Sequence, residues 1–364
     1  MGFLKIGKVT FGRKSFSLIS VIEENASPYK RRVRYSGKNP RSFDLKYKER
    51  RGDAETLAKV LEAGKTPAGR HRPIMVREIL EVLEPKAGKR FVDATLGFGG
   101  HAEAILPLLQ PGGMLLGLDV DPIEQPKAQA RLREAGFGEE CLVVRLSNYA
   151  GMLKAIGELG WLGVDGVMAD LGLSSMQIDD PTRGFSIKFE GPLDMRMNPT
   201  RGLSAAQWLE RVDTATLQKV LLENADEPQA VTLAAALAGQ SFATTTQLRK
   251  AIERAFLVKR NEDVESAVRR VFQAVRIAVN EEFSALETFL RNLPFCLNPG
   301  ARVAILTFHS GEDRRVKNAF KTGLSDGAYT EICRTVIRAS LEEQQANPRS
   351  TSAKLRWART AQKS

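Results

Sequence analysis

The sequence is short of the residues that build disulfide frameworks and metal centres. Its three cysteines, Cys141, Cys296 and Cys333, stand far apart with no CxxC spacing, so neither a stapled secreted fold nor a structural zinc site is expected. The three histidines, His71, His101 and His309, are as scattered, which excludes a histidine-rich site, and no bound metal is expected. No apolar run approaches the roughly 20 residues that span a bilayer. The basic start, MGFLKIGKVTFGRKSFSLIS, lacks the unbroken apolar stretch and small-residue cleavage site of a secretory leader. These absences predict a soluble protein of a reducing compartment: a bacterial-type cytoplasm, with organelle targeting left open and no membrane partner.

Acid is what the first 70 residues lack. They hold 17 Lys/Arg against 7 Asp/Glu, whereas the 294 residues that follow hold 37 against 36, so the net charge of +11 sits almost wholly in an N-terminal extension. Tyr29, Tyr35 and Tyr47 interleave with the basic runs YKRRVRY and KYKERR. Basic residues mixed with aromatics suit a polyanion with stackable bases; the plainer alternative is a charged tail that aids solubility.

Beyond residue 70 the pattern alternates. HRPIMVREILEVLEP (71–85) has helical spacing and stops at a proline; strands are expected over 90–95, 114–121, 141–147 and 164–172, with helical runs between them. Such alternation means an α/β fold with a parallel sheet. From 200 to 275 the sequence is helical throughout, and 298–310 resumes as a strand entered through Pro299-Gly300. The expected layout is a basic extension (1–70), an α/β core begun over 71–199, an inserted all-helical subdomain (200–275), completion of the core (276–325), and an irregular, basic C-terminal segment (326–364).

Equally absent are a P-loop, a G-x-S-x-G elbow and a cysteine set in a nucleophile motif. What stands after the first strand is DATLGFGGH (93–101), in which Gly97, Gly99 and Gly100 let the chain turn tightly and bring backbone N–H groups against a ligand. By itself this is either a nucleoside site or a plain strand-to-helix turn. Asp119 ends the second strand about 20 residues later, where a carboxylate reaches the hydroxyls of a ribose, in a dinucleotide or in S-adenosylmethionine. Asp93 would repel a pyrophosphate and attract a cationic aminoacyl group, which favours S-adenosylmethionine. Asp121 is expected to be solvated or to cap the next helix.

Asp170 and Gln177, in ADLGLSSMQIDD at the end of the fourth strand, belong near the cofactor and the reacting atom. An acceptor such as Asp170 that holds an exocyclic amine N–H favours a pyramidal nitrogen with its lone pair aimed at the methyl donor. Two further polar clusters are candidates: Asp194 and Arg196 beside a Gly-Pro turn in GPLDMRMN, and His309 with Ser310, Glu312, Asp313 and Arg314 past the last strand.

The segments HRPIMVREIL, DATLGFGGHAEAIL, LGLDVDP, VDGVMADLGLSSMQIDDPTRGFS, GPLDMRMNP, FQAVRIAVNEE, NPGARVAILTFHSGEDRRVK and NPRSTSAKLR, in this order over roughly 71–360, resemble the MraW/RsmH family. Those are S-adenosylmethionine-dependent methyltransferases acting on N4 of a cytidine in 16S ribosomal RNA. The resemblance implies a Rossmann-like class I methyltransferase sheet with an inserted helical subdomain that recognises RNA. It also implies Gly99, Gly100 and His101 at the methionine end of the cofactor, Asp119 on the ribose, Asp170 and Gln177 completing the pocket, and Tyr149 on the adenine side. The expected cofactor set is therefore Asp93, Gly97, Gly99, Gly100, His101, Asp119, Tyr149, Asp170 and Gln177; the expected catalytic set is Asp170, Asp194 and His309. The implied partner is small-subunit ribosomal RNA or the 30S subunit, with a homodimer left open.

The sequence departs from the family's usual pattern in places: Ala94 stands where glycine is usual, Ser310-Gly311-Glu312-Asp313 replaces Ser-Leu-Glu-Asp, and the basic extension is an addition. The alternative kept beside the enzyme is an RNA-binding paralogue, non-catalytic or aimed at another nucleotide, acting in ribosome assembly. A DNA amino methyltransferase fits poorly, since Leu171-Gly172-Leu173 follows Asp170 where that group has two prolines and an aromatic.

Overall fold

The structure, a computed structural model, describes residues 73–256 and 264–362; the basic extension over 1–70 and His71 lie outside the described residues. The chain begins with α1 (Val76–Leu83), whose buried Ile79 and Leu83 lie one turn apart on one face. β1 (Arg90–Asp93), α2 (Gly100–Leu109), β2 (Met114–Asp119), α3 (Glu124–Glu134), β3 (Leu142–Leu146), α4 (Met152–Glu158) and β4 (Val164–Asp170) follow in strict alternation. Near-continuous apolar runs such as MLLGL and VMA are what a strand covered on both faces requires. Phe91, Val92, Leu115, Leu116, Val167 and Met168 are all buried accordingly.

After the short α5 (Ser175–Asp179) come five helices: α6 (Ala205–Arg211), α7 (Thr214–Ala225), α8 (Ala230–Leu237), α9 (Thr245–Phe256) and α10 (Val264–Val279). Their buried residues make a core of their own, with Leu209, Leu217, Leu221, Leu233, Leu248, Ile252, Val271 and Val275 at its heart. That core also takes in Phe185, Leu193 and Met195, so the 181–198 strap packs with the helices although it precedes position 200.

The chain returns through α11 (Glu282–Asn292), β5 (Leu297–Thr307), α12 (Ser310–Ser325), β6 (Glu331–Ile332), α13 (Leu341–Ala346) and β7 (Lys354–Arg359). The sheet order is β3-β2-β1-β4-β5-β7-β6. β1 to β5 run parallel, while β7 lies antiparallel between β5 and β6. The C-terminal segment, expected to be irregular, thus completes the sheet. Its alternation is masked in sequence because the inward residues include Arg356, whose guanidinium is buried against Asp313 Oδ1 at 2.6 Å. Among the described residues no helix is long and apolar enough to cross a membrane.

The strand order reverses between β1, which continues to β2 and β3, and β4, which continues to β5. The crevice outside the carboxyl ends of these strands is where open α/β sheets bind ligands. Thr95 spans it: its Oγ1 accepts from the Asp170 N–H at 2.6 Å, tying the end of β4 to the turn after β1.

Candidate active site

A cavity of about 790 Å³ opens at this switch point, at the upper end of the range that holds a drug-sized or nucleotide-sized ligand. Its walls come from the turn after β1, the ends of β2 and β4, the 196–202 strap, the end of α10 and the start of α12. Three loops of the sheet domain and one edge of the helical insert therefore converge on one space.

The glycine turn makes the floor. Gly97 holds φ +51°, a left-handed conformation that costs a side chain, and a Cβ there would make only an ordinary contact with the Thr95 carbonyl oxygen at 3.8 Å. Its N–H donates to Asp119 Oδ2 at 2.6 Å, so β1's turn and β2's end are locked together. Gly99 has a different duty. It stands outside the cavity wall, at φ +82°, and a Cβ would press on Leu132 and Arg131 at 3.0 and 3.1 Å, so it lets α2 start close against α3. Gly100 and His101 do line the cavity. His101 Nε2 meets the Ile74 carbonyl at 2.9 Å, and Nδ1 lies 3.9 Å from Asp170 Oδ2.

Burial dominates the electrostatics of the floor. It raises the Asp170 carboxyl to about 8, with Asp93 and Glu312 adding repulsion. Asp170 Oδ1 is buried with no hydrogen-bond partner among the described residues. Burial also lifts Asp93 to about 7, against the pull of the Thr95 N–H, and Asp119 to about 6, against the N–H groups of Asp121 and Gly97. Burial works against charge on Glu312 too, but His309, the Phe308 N–H and Arg276 outweigh it and hold that carboxyl below the usual range. A cavity floored by carboxylates that lack cations favours a cationic ligand with hydroxyls to share.

Several expected residues sit elsewhere or are already engaged. Asp93 is buried and does not line the cavity; its Oδ1 accepts from the Thr95 N–H at 3.1 Å, and its charge opposes that of Asp170. Asp194 also stays out of the cavity. Both its oxygens accept from Arg196, at 2.8 and 2.7 Å, and it is Arg196 that reaches the wall. Gln177 lines the cavity, yet its amide is used within the protein: Oε1 accepts from the Ser174 N–H in a capping box, and Nε2 donates to Asp121 Oδ2 at 2.8 Å.

Asp121 is the residue whose weight the sequence hid. It is fully buried rather than solvated. Oδ1 caps α3 through the Ile123 and Glu124 N–H groups, while Oδ2 accepts from Gln177 and from Arg183 Nη1 at 2.8 Å. Arg183 in turn donates to the Arg196 and Met197 carbonyls, and Asn280 grips the same strap through the Met195 carbonyl and the Met197 N–H, each at 2.7 Å. One buried ion pair so connects β2's end, α5 and the strap that carries Arg196. Arg183 belongs to the RGF run of the sequence, and only its partner could not be read there.

Tyr149 stands in the wall with its ring 5.5 Å from Phe289, and its hydroxyl donates to the Glu282 carbonyl at 3.2 Å. Burial pushes the phenol well above its ordinary range, so it stays a neutral, flat surface. Glu282 is held by Arg276 through two hydrogen bonds of 2.8 Å, the pair joining α10 of the helical insert to α11 of the core. His309 caps α12, with Nδ1 3.5 Å from the Glu312 N–H and Nε2 3.1 Å from Glu312 Oε1. The arginines on the wall are Arg276, paired with Glu282, together with Arg196, Arg201 and Arg349.

A nicotinamide dinucleotide would bring a pyrophosphate against three carboxylates, whereas a sulfonium nucleoside brings the charge and the ribose that this floor accommodates. Parallel sheet, switch-point cavity and acidic floor together define a Rossmann-like class I methyltransferase that uses S-adenosylmethionine. The chain belongs to the MraW methylase family, which it matches over residues 68–361. It is similar to "Ribosomal RNA small subunit methyltransferase H 1" of Lachnoclostridium phytofermentans, 47% identical with 92% of this chain and 94% of that protein covered. It is likewise similar to "Ribosomal RNA small subunit methyltransferase H 2" of Alkaliphilus metalliredigens, at 48% identity with 90% and 97% covered. "Ribosomal RNA small subunit methyltransferase H" of Oleidesulfovibrio alaskensis is 38% identical, with 79% of this chain and 94% of that protein covered. The first two alignments span more of the chain than the 294 residues after position 70, and so take in part of the basic extension.

Proposed function

We propose that the protein transfers a methyl group from S-adenosylmethionine to the exocyclic N4 amine of a cytidine in small-subunit (16S) ribosomal RNA, in a bacterial-type cytoplasm. The observation that carries this reading is Asp170: a partly exposed carboxyl at the switch point, with no hydrogen-bond partner for Oδ1 among the described residues, lining a cavity large enough for a nucleoside beside the cofactor. When bound, the cofactor supplies an electrophilic methyl on a sulfonium.

The chain's own part is to bind, orient and hold a proton. Asp119 offers the ribose its carboxylate from the Gly97 turn, His101 and Gly100 bound the opposite end, and Tyr149 gives a flat wall for the adenine. Asp170 accepts an N–H of the amine through Oδ2, the oxygen its partly exposed carboxyl turns to the cavity, and so turns the nitrogen lone pair out of the ring and toward the methyl. A carboxyl raised to about 8 holds a proton readily, so it suits the amine's proton as the N–C bond forms and the C–S bond breaks. The target base must leave its stack to reach this depth. Asp93, Gln177, Gly99 and Asp194 serve as positioning residues: they hold the turn, the Asp121 hub, the α2 start and Arg196.

The test is transfer of labelled methyl to small-subunit RNA or to assembling subunits, followed by digestion to nucleosides. Label recovered as N4-methylcytidine is the expected result; label in any other nucleoside, or none, overturns the reading. A second reading keeps the chemistry and changes the cytidine. It is favoured by the basic extension, which is aligned in the relatives numbered H 1 and H 2. Mapping the modified position separates the two.

A further inference from the structure

A second cavity, of about 430 Å³, lies on the far side of α12, at the β6 edge of the sheet. It is the size of a single nucleotide rather than of a cofactor with its substrate. Lys317, Lys321 and Arg334 line it together with Trp357, a residue partly exposed to solvent.

The charge on α12 is distributed unevenly. Arg314 is given Asp226 at 3.3 Å and Arg315 is given Glu287 at 2.8 Å. Lys317 and Lys321 have no carboxylate partner among the described residues, and neither has Arg334 across the groove. Glu331, the acid on the groove wall, is engaged by Arg359 at 3.6 Å, and Arg356 is neutralised by Asp313. Lys317 and Lys321 are one turn apart on one helix face, an arrangement of like charges that weakens a helix by a few tenths of a kcal/mol. An exposed helix that keeps such a pair unscreened, facing a groove with an aromatic wall, breaks a local rule that a ligand phosphate would restore.

The geometry points to a second RNA site: we propose that this groove holds one nucleotide of a single-stranded stretch beside the target cytidine, its phosphate on Lys317, Lys321 and Arg334 and its base against Trp357. Stacking platforms flanked by cations are how single strands are held without reading sequence. The two sites share one helix. Glu312 lines the catalytic cavity, and Lys317 and Lys321 lie roughly 8 and 14 Å further along α12 at 1.5 Å per residue. The proposal rests on the RNA-methyltransferase reading for the nature of its ligand.

The experiment uses the full chain. Binding of a fluorescent single-stranded oligoribonucleotide is followed by anisotropy over a range of KCl, alongside methyl-transfer kinetics on small-subunit RNA and calorimetric binding of S-adenosylmethionine. In K317Q/K321Q/R334Q, all exposed substitutions, RNA affinity falls and the log–log salt slope drops by about 0.7 for each phosphate no longer neutralised. KM for RNA rises with kcat and cofactor affinity unchanged. Trp357→Leu weakens RNA binding by about fivefold or more, and Trp357→Phe restores most of it. Unchanged RNA affinity and salt slope in the triple variant, with wild type binding RNA, overturns the proposal. So does saturable binding of cytidine monophosphate that the triple variant loses while keeping its RNA affinity, since the groove would then serve a free nucleotide. A wild type that binds RNA through this groove yet methylates none refutes the proposed function and leaves the groove assigned.

Discussion

At the scale of single residues, the carboxylates of the floor set the pH response. Asp170, Asp93 and Asp119 are raised to about 8, 7 and 6, so they release protons as a coupled set across that window. If Asp170 must be ionised to accept from the amine, kcat/KM rises with pH to a plateau with an apparent value near 8 in the free enzyme. Asp170→Asn should lower kcat by about 10²–10³ and abolish that limb; a limb that survives the substitution assigns it to another group.

The same shift has a stability consequence of known sign. A carboxyl raised from the ordinary 3.8 to about 8 stabilises the fold only while protonated, and that contribution is lost as pH climbs through this window. Cofactor-free Asp170→Asn is therefore expected to melt higher than wild type, by a margin that widens from pH 5 to pH 8 and then levels, at roughly 2–4 °C per kcal/mol. For Asp194, whose oxygens both go to Arg196, Asp194→Asn should raise KM for RNA and leave kcat within a few-fold. A loss of kcat as large as that of Asp170→Asn would return Asp194 to the chemistry.

At the scale of elements, the buried Asp121–Arg183 pair is the joint on which the cavity wall depends. Arg183→Met leaves a buried carboxylate with no counter-ion and should cost about 3–5 kcal/mol in urea unfolding. An exposed partner change such as Arg77→Met should stay within about 0.5 kcal/mol. The elements themselves were legible because period and burial agree: β1 to β5 fall within or close to the expected runs, and the glycine turn, Asp119 and Asp170 are all at strand ends, where function collects. β7 was not legible. Its strand pattern includes Lys354, Arg356 and Arg359, and charged residues read as surface until Asp313, 41 and more positions earlier in the chain, is folded against two of them. The same blindness hid the burial of Asp121, whose capping of the next helix was legible, and the bond from Gln177 to it, since both depend on partners distant in sequence.

At the scale of the whole molecule, each kind of charge has its own place. The floor of the cavity is acidic, four arginines stand on its wall, a cationic groove lies along α12, and the N-terminal extension holds nearly all the net charge. Deleting residues 1–65 should flatten the salt dependence of RNA binding by about 0.7–0.9 in log–log slope for each phosphate the extension neutralises, with cofactor affinity unchanged. An unaltered slope would leave the extension as a solubilising tail.

The sequence by itself determined the class of fold through strand-and-helix alternation, and favoured S-adenosylmethionine through a glycine turn and the carboxylates at fixed distances after it, while the chemistry on offer came from its resemblance to the MraW/RsmH family. Only the tertiary structure decided which carboxylates are free to act. Asp170 keeps an unpartnered oxygen, Asp194 and Asp121 do not, and that distinction comes from burial and from pairing between segments that sequence spacing does not connect.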